Sequence, residues 1–267
     1  EAMQGFLQRW FGLSLTGLTG EQKLAFFHGG GANGKSVLVD VIARILGDYA
    51  ATAKVESLTG KNRRGGGDAT PDLMPLVGAR FVRASEPEMG AQLQEGTIKE
   101  LTGGEPIMVR SLHANFITVS PKFKLTISGN HKPEVRGSDD GIWRRLLLVP
   151  FAVQIPAAER DHRLVEKLWE ERDGIFAWAV EGLLDYLEVG LAEPAEVLDA
   201  TAEFREESNP VASFLLQACV VTGRAEDSLS ARELVEACNF WLVDQGLSEW
   251  RPRTISLRLA EMSRRWR

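Results

Sequence analysis

The chain of 267 residues is long enough for one large domain and a smaller one. Its 44% hydrophobic and 25% charged content is that of an ordinary globular protein, and no apolar run is long enough to span a membrane. The net charge of −6 hides an asymmetry, because residues 1–150 hold 18 basic and 15 acidic side chains whereas residues 151–267 hold 13 and 22. Any contact with a polyanion must therefore come from local basic patches.

The amino terminus and the cysteines bear on location. The first residues lack the basic start and apolar core of a signal peptide, and the missing start methionine leads us to expect a fragment of a longer protein. Cys219 and Cys238 are far apart in sequence and near no pair of histidines. They are predicted to be buried thiols in a reducing cytoplasm, and neither a disulfide nor a zinc site.

The first elements alternate in type. Residues 2–11 form an amphipathic pattern typical of a short helix, and its apolar side consists of Phe6, Leu7, Trp10 and Phe11. The apolar run at residues 24–28 (LAFFH) predicts a buried strand, and residues 36–46 have helical spacing that Gly47 ends.

The segment between that strand and that helix reads GGGANGKS and fits the phosphate-loop pattern G-x-x-x-x-G-K-[ST]. Its glycines let backbone N–H groups approach phosphate oxygens, and the helix that follows turns its positive dipole end toward them. Lys35 is expected to neutralise the β- and γ-phosphates of ATP, and Ser36 to bind Mg²⁺. The predicted nucleotide-binding residues are Gly29, Gly30, Gly31, Ala32, Asn33, Gly34, Lys35, Ser36 and Val37.

An acidic pair follows the next predicted strand, at residues 80–85. Glu86 comes directly after this strand, and Glu88 lies two residues further on. A phosphate-loop ATPase needs carboxylates near Mg²⁺ and near the attacking water, so both are predicted to be catalytic, with Glu86 also a metal ligand. Arg80 and Arg83 are unusual in a buried strand and keep open the alternative of two surface glutamates after an edge strand.

Four further predicted strands flank polar positions. Residues 107–110 and 116–120 enclose the turn SLHAN and predict a hairpin, after a helix at 94–101. The strand at residues 123–128 ends near Asn130, whose amide is suited to holding the attacking water, although a turn-forming Gly-Asn pair is the alternative. Arg144 and Arg145 precede a possible strand at 146–149 and fit the charge of a transferring phosphoryl group. Their alternative is a salt bridge to Asp139 or Asp140, or simple surface charge.

The remaining chain is predicted to be helical. Helical patterns cover residues 159–171, 173–189 and 194–207, and Asn209-Pro210 separates them from stretches near 211–221, 230–245 and 253–262. Strands that alternate with helices predict an α/β fold with a mostly parallel sheet. The predicted segments are a lead-in at 1–22, an ATPase core at 23–156, a helical connector at 157–208 and a small helical module at 209–267.

The order of these motifs resembles the superfamily 3 helicase domain of phage, plasmid and poxvirus-type primase-helicases. The resemblance covers roughly residues 20–150 and is carried by GGGANGKS, RFVRASEPE, IKELTGGEPIMVRSL, FKLTISGNHKP and GSDDGIWRRL, in that order. The lead-in FLQRWFGLSLTGLTGEQK also looks like that family. The carboxyl-terminal module is similar only in general shape, with a winged-helix-like arrangement.

The resemblance implies an AAA+-like hexameric ring that hydrolyses ATP with Mg²⁺ and moves 3′ to 5′ on single-stranded or forked DNA. It makes Asn130 the sensor residue, and Arg144 or Arg145 a finger that serves a neighbour's ATP. A primase domain is expected in the same or a partner chain, in the cytoplasm of a bacterium or a phage-infected cell. The acidic motif departs from the adjacent acidic pair of broader ATPases, so the division of work between Glu86 and Glu88 stays open.

DNA contact is expected at the hairpin. The predicted DNA-binding residues Arg110, His113 and Lys122 belong to the hairpin or flank it, and cationic groups there suit contact with a phosphate backbone. The resemblance adds Lys99, which matches the family motif that carries the hairpin. Lys124 lies beside them, with a position on a sheet face as its alternative. An ordinary exposed turn is the alternative. The basic loop with Lys61, Arg63 and Arg64 is more typical of a solvated segment. Two other functions stay open: a loader or packaging ring that does not unwind DNA, and a small-molecule kinase.

Overall fold

The computed structural model describes residues 1–60, 68–137, 140–220 and 222–265. The basic loop with Lys61, Arg63 and Arg64 lies outside these residues. The chain forms two compact units, Glu1–Ala202 and Glu203–Arg267. The first unit takes in the predicted lead-in, the predicted core and most of the predicted connector.

A parallel sheet forms the centre of the first unit. Among the described residues the strands are β1 (Leu24–His28), β2 (Ala50–Ala53), β3 (Phe81–Ala84), β4 (Ile107–Val109), β5 (Ile117–Val119), β6 (Lys124–Gly129) and β7 (Leu146–Pro150). Five of them pair in the order β2-β3-β6-β1-β7, all parallel, and β4 and β5 form a separate antiparallel hairpin. The predicted α/β class and the predicted hairpin are therefore confirmed.

Helices surround the sheet and make up the second unit. They are α1 (Ala2–Leu13), α2 (Lys35–Leu46), α3 (Glu95–Gly103), α4 (Asp140–Trp143), α5 (Leu164–Glu170), α6 (Arg172–Val189), α7 (Ala195–Glu207), α8 (Pro210–Ala218), α9 (Ala231–Asp244) and α10 (Pro252–Arg265). Two elements differ from the predictions. The sequence does not predict β2, because AATA has no strong pattern, and the helix expected from residue 159 begins only at Leu164. Within the described ranges, no helix is both long and apolar enough to cross a lipid bilayer.

The amphipathic helix α1 is part of the core. Phe6, Trp10 and Phe11 are fully buried, and the ring of Phe11 packs edge-on against Phe27 of β1 at 6.2 Å between centroids. The indole Nε1 of Trp10 donates a hydrogen bond of 3.0 Å to Thr126 Oγ1 on β6. A buried indole N–H needs such a partner, so this bond fixes how α1 lies across the sheet.

Helices α1 and α6 cross at two glycines. A Cβ on Gly12 would meet the carbonyl oxygen of Ala179 at 2.6 Å, and a Cβ on Gly182 would meet the side chain of Gln8 at 2.8 Å, with backbone atoms closer still in both cases. Because no side chain separates the two backbones, α1 and α6 approach more closely than ordinary helix packing allows. The lead-in is therefore locked onto α6.

Lys124 anchors the loop between α1 and β1. Its side chain is buried, and Nζ donates to the carbonyl oxygens of Thr16 at 2.6 Å and of Leu18 at 3.1 Å. Burial, with a smaller contribution from the charge of Arg80, lowers the pKa of Lys124 to about 7. The expectation that Lys124 belongs to the DNA-binding surface is therefore wrong, because its ammonium group points into the lead-in loop.

The second unit has a core of its own. Its buried residues come from α8, α9 and α10 and the segment before α10: Val211, Phe214, Leu215, Val235, Cys238, Leu242, Trp250 and Ile255. A capping box begins α9, where Ser230 Oγ accepts from the Glu233 amide and Glu233 Oε2 accepts from the Ser230 amide. Both cysteines are free thiols, and Cys238 is buried as predicted, whereas Cys219 is only half-buried. Over the described part of this unit no strand follows the helices, so the wing of a winged helix is not seen there.

We expect Gly182→Ala to lower the free energy of unfolding by about 1–3 kcal/mol, because the new methyl group would overlap the backbone of Gln8 and force α1 away from α6. Thermal or urea unfolding would measure the change. Gly174→Ala on the same helix is the matched control, since nothing lies within 4 Å of its Cβ, and it should leave stability unchanged or raise it. Equal effects of the two variants would contradict the close crossing.

Candidate nucleotide-binding site

The phosphate-loop segment joins β1 to α2 in a conformation that needs glycine at defined positions. Gly31 and Gly34 have φ of 87° and 82°, and Ala32 also has a positive φ of 49°. Gly34 is the residue before α2, so the loop delivers its backbone N–H groups to the helix amino terminus. This arrangement is an anion-binding geometry formed by backbone N–H groups and the helix dipole together.

The loop is braced from behind by the segment after β7. Asn33 Nδ2 donates to the Phe151 carbonyl oxygen at 3.1 Å, and the Ile155 amide donates to the Ala32 carbonyl oxygen at 2.7 Å. A Cβ on Gly29 would collide with Phe151 O, so only glycine fits there. The sequence contained no signal for this brace, because residues 151–155 carry no motif.

Lys35 is the central cation of the site. Its side chain is buried, and Nζ donates to Gly29 O at 2.7 Å, to Asn33 Oδ1 at 3.1 Å and to Asn130 Oδ1 at 3.2 Å. All three acceptors are neutral oxygens. Burial lowers the pKa of Lys35, and the negative charge of Glu86 opposes that shift. The ammonium group is therefore held at the point where the loop would present it to phosphate.

Glu86 and Asn130 are joined by hydrogen bonds. Glu86 Oε1 accepts from the Asn130 amide at 2.7 Å and from the His131 amide at 3.1 Å, and Glu86 Oε2 accepts from Asn130 Nδ2 at 3.1 Å. The Asn130 side chain thus uses its oxygen for Lys35 and its nitrogen for Glu86. The three predicted residues Lys35, Asn130 and Glu86 form one continuous chain of contacts.

Glu88 occupies a different environment. It is exposed and is not among the residues that line the cleft beside the loop, whereas Glu86 lines that cleft. The Glu86 carboxylate therefore lies in the site, whereas that of Glu88, two residues further along the chain, lies on the surface. The alternative of two surface glutamates is wrong for Glu86, because its carboxylate faces Asn130.

The cleft has a volume of about 580 Å³, within the range of small-molecule sites. Residues of the loop, α2, β2, β3 and β6 line it, and these are Gly31, Ala32, Asn33, Gly34, Lys35, Ser36, Val37, Val39, Asp40, Thr52, Arg83, Ala84, Ser85, Glu86, Ser128, Gly129 and Asn130. Gly29 and Gly30 lie in the same loop just before these residues. The cleft thus joins a phosphate cradle to an exposed hydroxyl at Ser36 and a carboxylate at Glu86, which is a donor set that fits ATP with Mg²⁺.

Arg83 is a cleft residue that the sequence did not assign to the site. It projects from β3, pairs with Asp40 of α2, and donates from Nε to Thr52 Oγ1 of β2 at 3.1 Å. Arg83 and Lys35 are the two cations among the lining residues. The signal in the sequence is a charged residue in an otherwise apolar strand, which by itself is equally typical of an edge strand.

The two adjacent arginines lie at the other end of the sheet. They directly precede β7, which pairs in parallel with β1 from Leu24↔Leu146 to His28↔Pro150. Five residues of strand rise about 16 Å, so the arginines and the phosphate loop lie at opposite ends of these two strands. Arg144 is exposed, whereas Arg145 is buried and donates from Nη1 to the Gly141 carbonyl oxygen at 2.6 Å.

The predicted DNA-binding residues fall into two groups. Arg110 and His113 belong to the hairpin segment, where the Arg110 guanidinium lies 4.7 Å from the centre of the Phe116 ring and His113 has a φ of 61° in the exposed turn. Lys122 is exposed between β5 and β6, and Lys99 is half-buried on α3. The hairpin therefore presents a cation stacked on an aromatic ring beside an exposed imidazole.

Comparison with known proteins finds a family match and relatives in large DNA viruses. Residues 27–145 match a family described as a family of unknown function (DUF5906), which covers just under half of the chain. Over 258 residues the chain is 27% identical to a protein named "putative helicase" from Acanthamoeba polyphaga mimivirus, covering 90% of this chain and 27% of that protein. A protein with the same designation from Frog virus 3 is 29% identical over 155 residues, covering 57% and 16%.

A third relative carries a different name. A "putative primase" of African swine fever virus is 25% identical over 126 residues, covering 47% of this chain and 13% of that protein. The resemblance to primase-helicases is confirmed. None of these three relatives is named as a loader or a kinase. The chain spans about a quarter or less of the length of the relatives it matches.

A solved structure supports the fold. The apo structure of the NrS-1 C-terminal region superposes with a TM-score of 0.54 at 13% identity, covering 88% of this chain and 58% of that one. At this identity the likeness concerns the fold alone. It confirms an α/β unit with a helical carboxyl-terminal part for sequences that share few residues.

We expect Glu86→Gln to reduce ATP hydrolysis by about 100-fold or more, since it removes the carboxylate that contacts Asn130 in the cleft. Glu88→Gln should keep most of the activity, because that side chain is exposed and outside the cleft lining. Steady-state phosphate release with saturating Mg²⁺-ATP would compare the two. A larger loss for Glu88→Gln would reverse the assignment.

Proposed function

We propose that this chain is the motor of an ATP-dependent replicative DNA helicase, in which a homo-hexameric ring moves 3′ to 5′ on single-stranded or forked DNA. The names of the viral relatives support the helicase role in coarse form. A primase domain in the same or a partner chain is included, since one relative is named a primase.

The contact chain from Lys35 through Asn130 to Glu86 carries the proposal. A site that only binds nucleotide needs the loop and its lysine. A carboxylate connected to that lysine through one amide adds a group that can accept a hydrogen bond from the attacking water. Because Asn130 contacts both Lys35 and Glu86, a shift of the Lys35 ammonium group on phosphate binding would also move the Glu86 carboxylate. This link suits a hydrolysis cycle better than storage of a nucleotide.

Each residue of the site then has a defined task. The loop amides and Lys35 bind and orient the phosphates, Ser36 and Glu86 would hold Mg²⁺, and Asn130 positions Glu86. When bound, Mg²⁺-ATP would supply the phosphoanhydride bond whose hydrolysis drives movement. Lys35 would exchange its neutral acceptors for phosphate oxygens, which are stronger partners for an ammonium group.

Neither of the two predicted finger arginines lies beside the phosphate loop of its own chain. Arg144 and Arg145 are about 16 Å of strand away from their own phosphate loop, so neither reaches its own nucleotide. Of the two, Arg144 is exposed and suited to a neighbour's site, whereas Arg145 is buried against Gly141 O. We therefore assign Arg144 as the finger that acts in trans and Arg145 as a structural residue.

DNA contact is assigned to the hairpin and its surroundings. Arg110, His113 and Lys122 offer cationic and hydrogen-bonding groups at exposed or half-exposed positions, which suits backbone contact without sequence preference. Lys99 on α3, the helix before the hairpin, is the fourth candidate. The ring would thread the strand past these hairpins as nucleotide state changes.

ATPase and unwinding assays test the function. We expect single-stranded DNA to stimulate ATP hydrolysis. A duplex with a single-stranded 3′ tail should be unwound, whereas a duplex with only a 5′ tail should not. Lys35→Ala should reduce hydrolysis by about 100-fold or more, and Lys54→Ala, at an exposed position outside the cleft, should not. Full ATPase activity in Lys35→Ala would refute the site. DNA-stimulated hydrolysis without strand displacement would instead favour a loader or packaging ring.

The trans assignment predicts a pattern in mixed rings. Arg144→Ala should reduce ATP hydrolysis by about 100-fold or more, because the phosphoryl charge loses its guanidinium. Mixing Arg144→Ala with Lys35→Ala subunits should restore part of the activity, since some interfaces then pair an intact loop with an intact arginine. Size-exclusion chromatography would verify assembly. Absence of restoration in assembled mixed rings would contradict a trans role.

A further inference from the structure

A glutamine in the lead-in loop touches the two arginines. Gln22 Oε1 accepts from Arg144 Nη2 at 2.9 Å and from Arg145 Nη2 at 3.4 Å. The other end of the same amide, Nε2, donates to the carbonyl oxygen of Gly103 at 3.3 Å. One side chain therefore connects the arginine pair to the last residue of α3.

The backbone of Gln22 is held in a conformation that its residue type disfavours. Its φ is 54°, in the left-handed region that costs a residue with a Cβ about 1 kcal/mol or more. The Gln22 amide closes a turn on the Thr19 carbonyl oxygen at 3.0 Å. A strained backbone conformation of this kind persists where the surrounding contacts hold it, and such conformations are concentrated at functional sites.

The residues on either side of Gln22 are tied to the far side of the unit. Glu21 Oε1 accepts from the Tyr186 hydroxyl at 2.9 Å, and burial, together with this bond, raises the pKa of Tyr186 to about 12. Lys23 Nζ lies 3.3 Å from Glu193 Oε1. The two neighbours fix the backbone, so Gln22 presents its amide from a rigid base.

We propose that Gln22 is the positioning residue of the Arg144 finger and that it ties the finger to the DNA-binding hairpin. The proposal rests on the proposed function, because it assumes that Arg144 serves a neighbour's site. A guanidinium has five N–H donors, so one bond to Gln22 sets the orientation of its plane without using up the donors that a phosphate needs. An arginine on a surface loses little entropy on binding if it is already oriented.

The link to the hairpin runs along α3. Gly103 ends that helix, Gly104 turns the chain with a φ of 76°, and β4 begins three residues later. At its other end, Glu95 Oε1 accepts from the Gly137 amide at 2.6 Å, and Trp143 Nε1 donates to Gly137 O at 3.1 Å. Helix α3 is therefore joined at both ends to the segment that carries the arginines. A displacement of the hairpin by DNA would reach Arg144 through Gln22.

The first test is Gln22→Gly, which removes the amide and accepts a positive φ without strain. We expect kcat for ATP to fall about 10-fold or more while KM for ATP stays near the wild-type value, because the finger acts in the transition state at a neighbour's site. Gln4→Ala, at an exposed position of α1, is the surface control and should leave both constants unchanged.

Mixed rings show which half of the site Gln22 belongs to. Gln22→Gly subunits mixed with Lys35→Ala subunits should regain ATPase activity, whereas Gln22→Gly mixed with Arg144→Ala should not, because both variants then lack a working finger. Restoration in both mixtures, or in neither, would overturn the proposal. If Arg144→Ala itself is not restored by Lys35→Ala, the trans assignment under the proposed function fails, and that outcome is distinct from a failure of Gln22 alone.

Gln22→Glu separates the two contacts of the amide. Its carboxylate still accepts from the guanidinium groups but cannot donate to Gly103 O. We expect it to recover most of the basal ATPase rate that Gln22→Gly loses, and to show a stimulation by single-stranded DNA reduced about 5-fold or more. Stimulation equal to that of the wild type in Gln22→Glu would overturn the link to the hairpin.

Discussion

The parallel register of β1, β6 and β3 is the constraint on which the site depends. Strand β1 pairs with β6 and β6 pairs with β3, all in parallel. The segments that follow these strands therefore lie side by side at the carboxyl-terminal ends of the strands. The loop with Lys35 follows β1, Asn130 follows β6 and Glu86 follows β3. Lys35 and Asn130, 95 positions apart, and Asn130 and Glu86, 44 positions apart, thereby come within hydrogen-bonding distance. If any one of the three strands ran in the opposite direction, its residue would lie at the other end of the sheet.

The same register separates the arginines from the loop. In a parallel sheet, the amino-terminal end of one strand lies far from the carboxyl-terminal end of its neighbour. Arg144 precedes β7, whereas the phosphate loop follows β1. A single chain thus carries Arg144 and the phosphate loop at opposite ends of neighbouring strands. Under the proposed function, a second copy would bring Arg144 to a neighbour's loop, and a ring would repeat this pairing at each interface.

The lead-in joins these parts into one body. Helix α1 is inserted into the core through Trp10 and crosses α6 at glycines, and Lys124 clamps the loop that follows it. The end of that loop is Gln22, between the arginines and α3. A segment that looks like a simple approach to the core is a structural element of the site, because its side chains are the contacts between parts that the sheet alone does not connect.

The sequence by itself determined the local features. The glycine spacing of the phosphate loop, the apolar strand before it, the helix after it and the hairpin are set by short-range patterns, because each depends on backbone preferences and the alternation of apolar residues over a few positions. Those patterns also placed the candidates Glu86, Asn130 and Arg144 after or before strands, and the order of motifs carried the likeness to primase-helicases.

Tertiary structure alone decided what these residues do to one another. It separated Glu86 in the cleft from Glu88 on the surface, and the exposed Arg144 from the buried Arg145, although each pair looks equivalent in sequence. It also revealed the contacts of Arg83, Lys124 and Gln22. Burial and partner choice depend on which strands become neighbours, and that pairing joins residues too far apart for any local pattern to record.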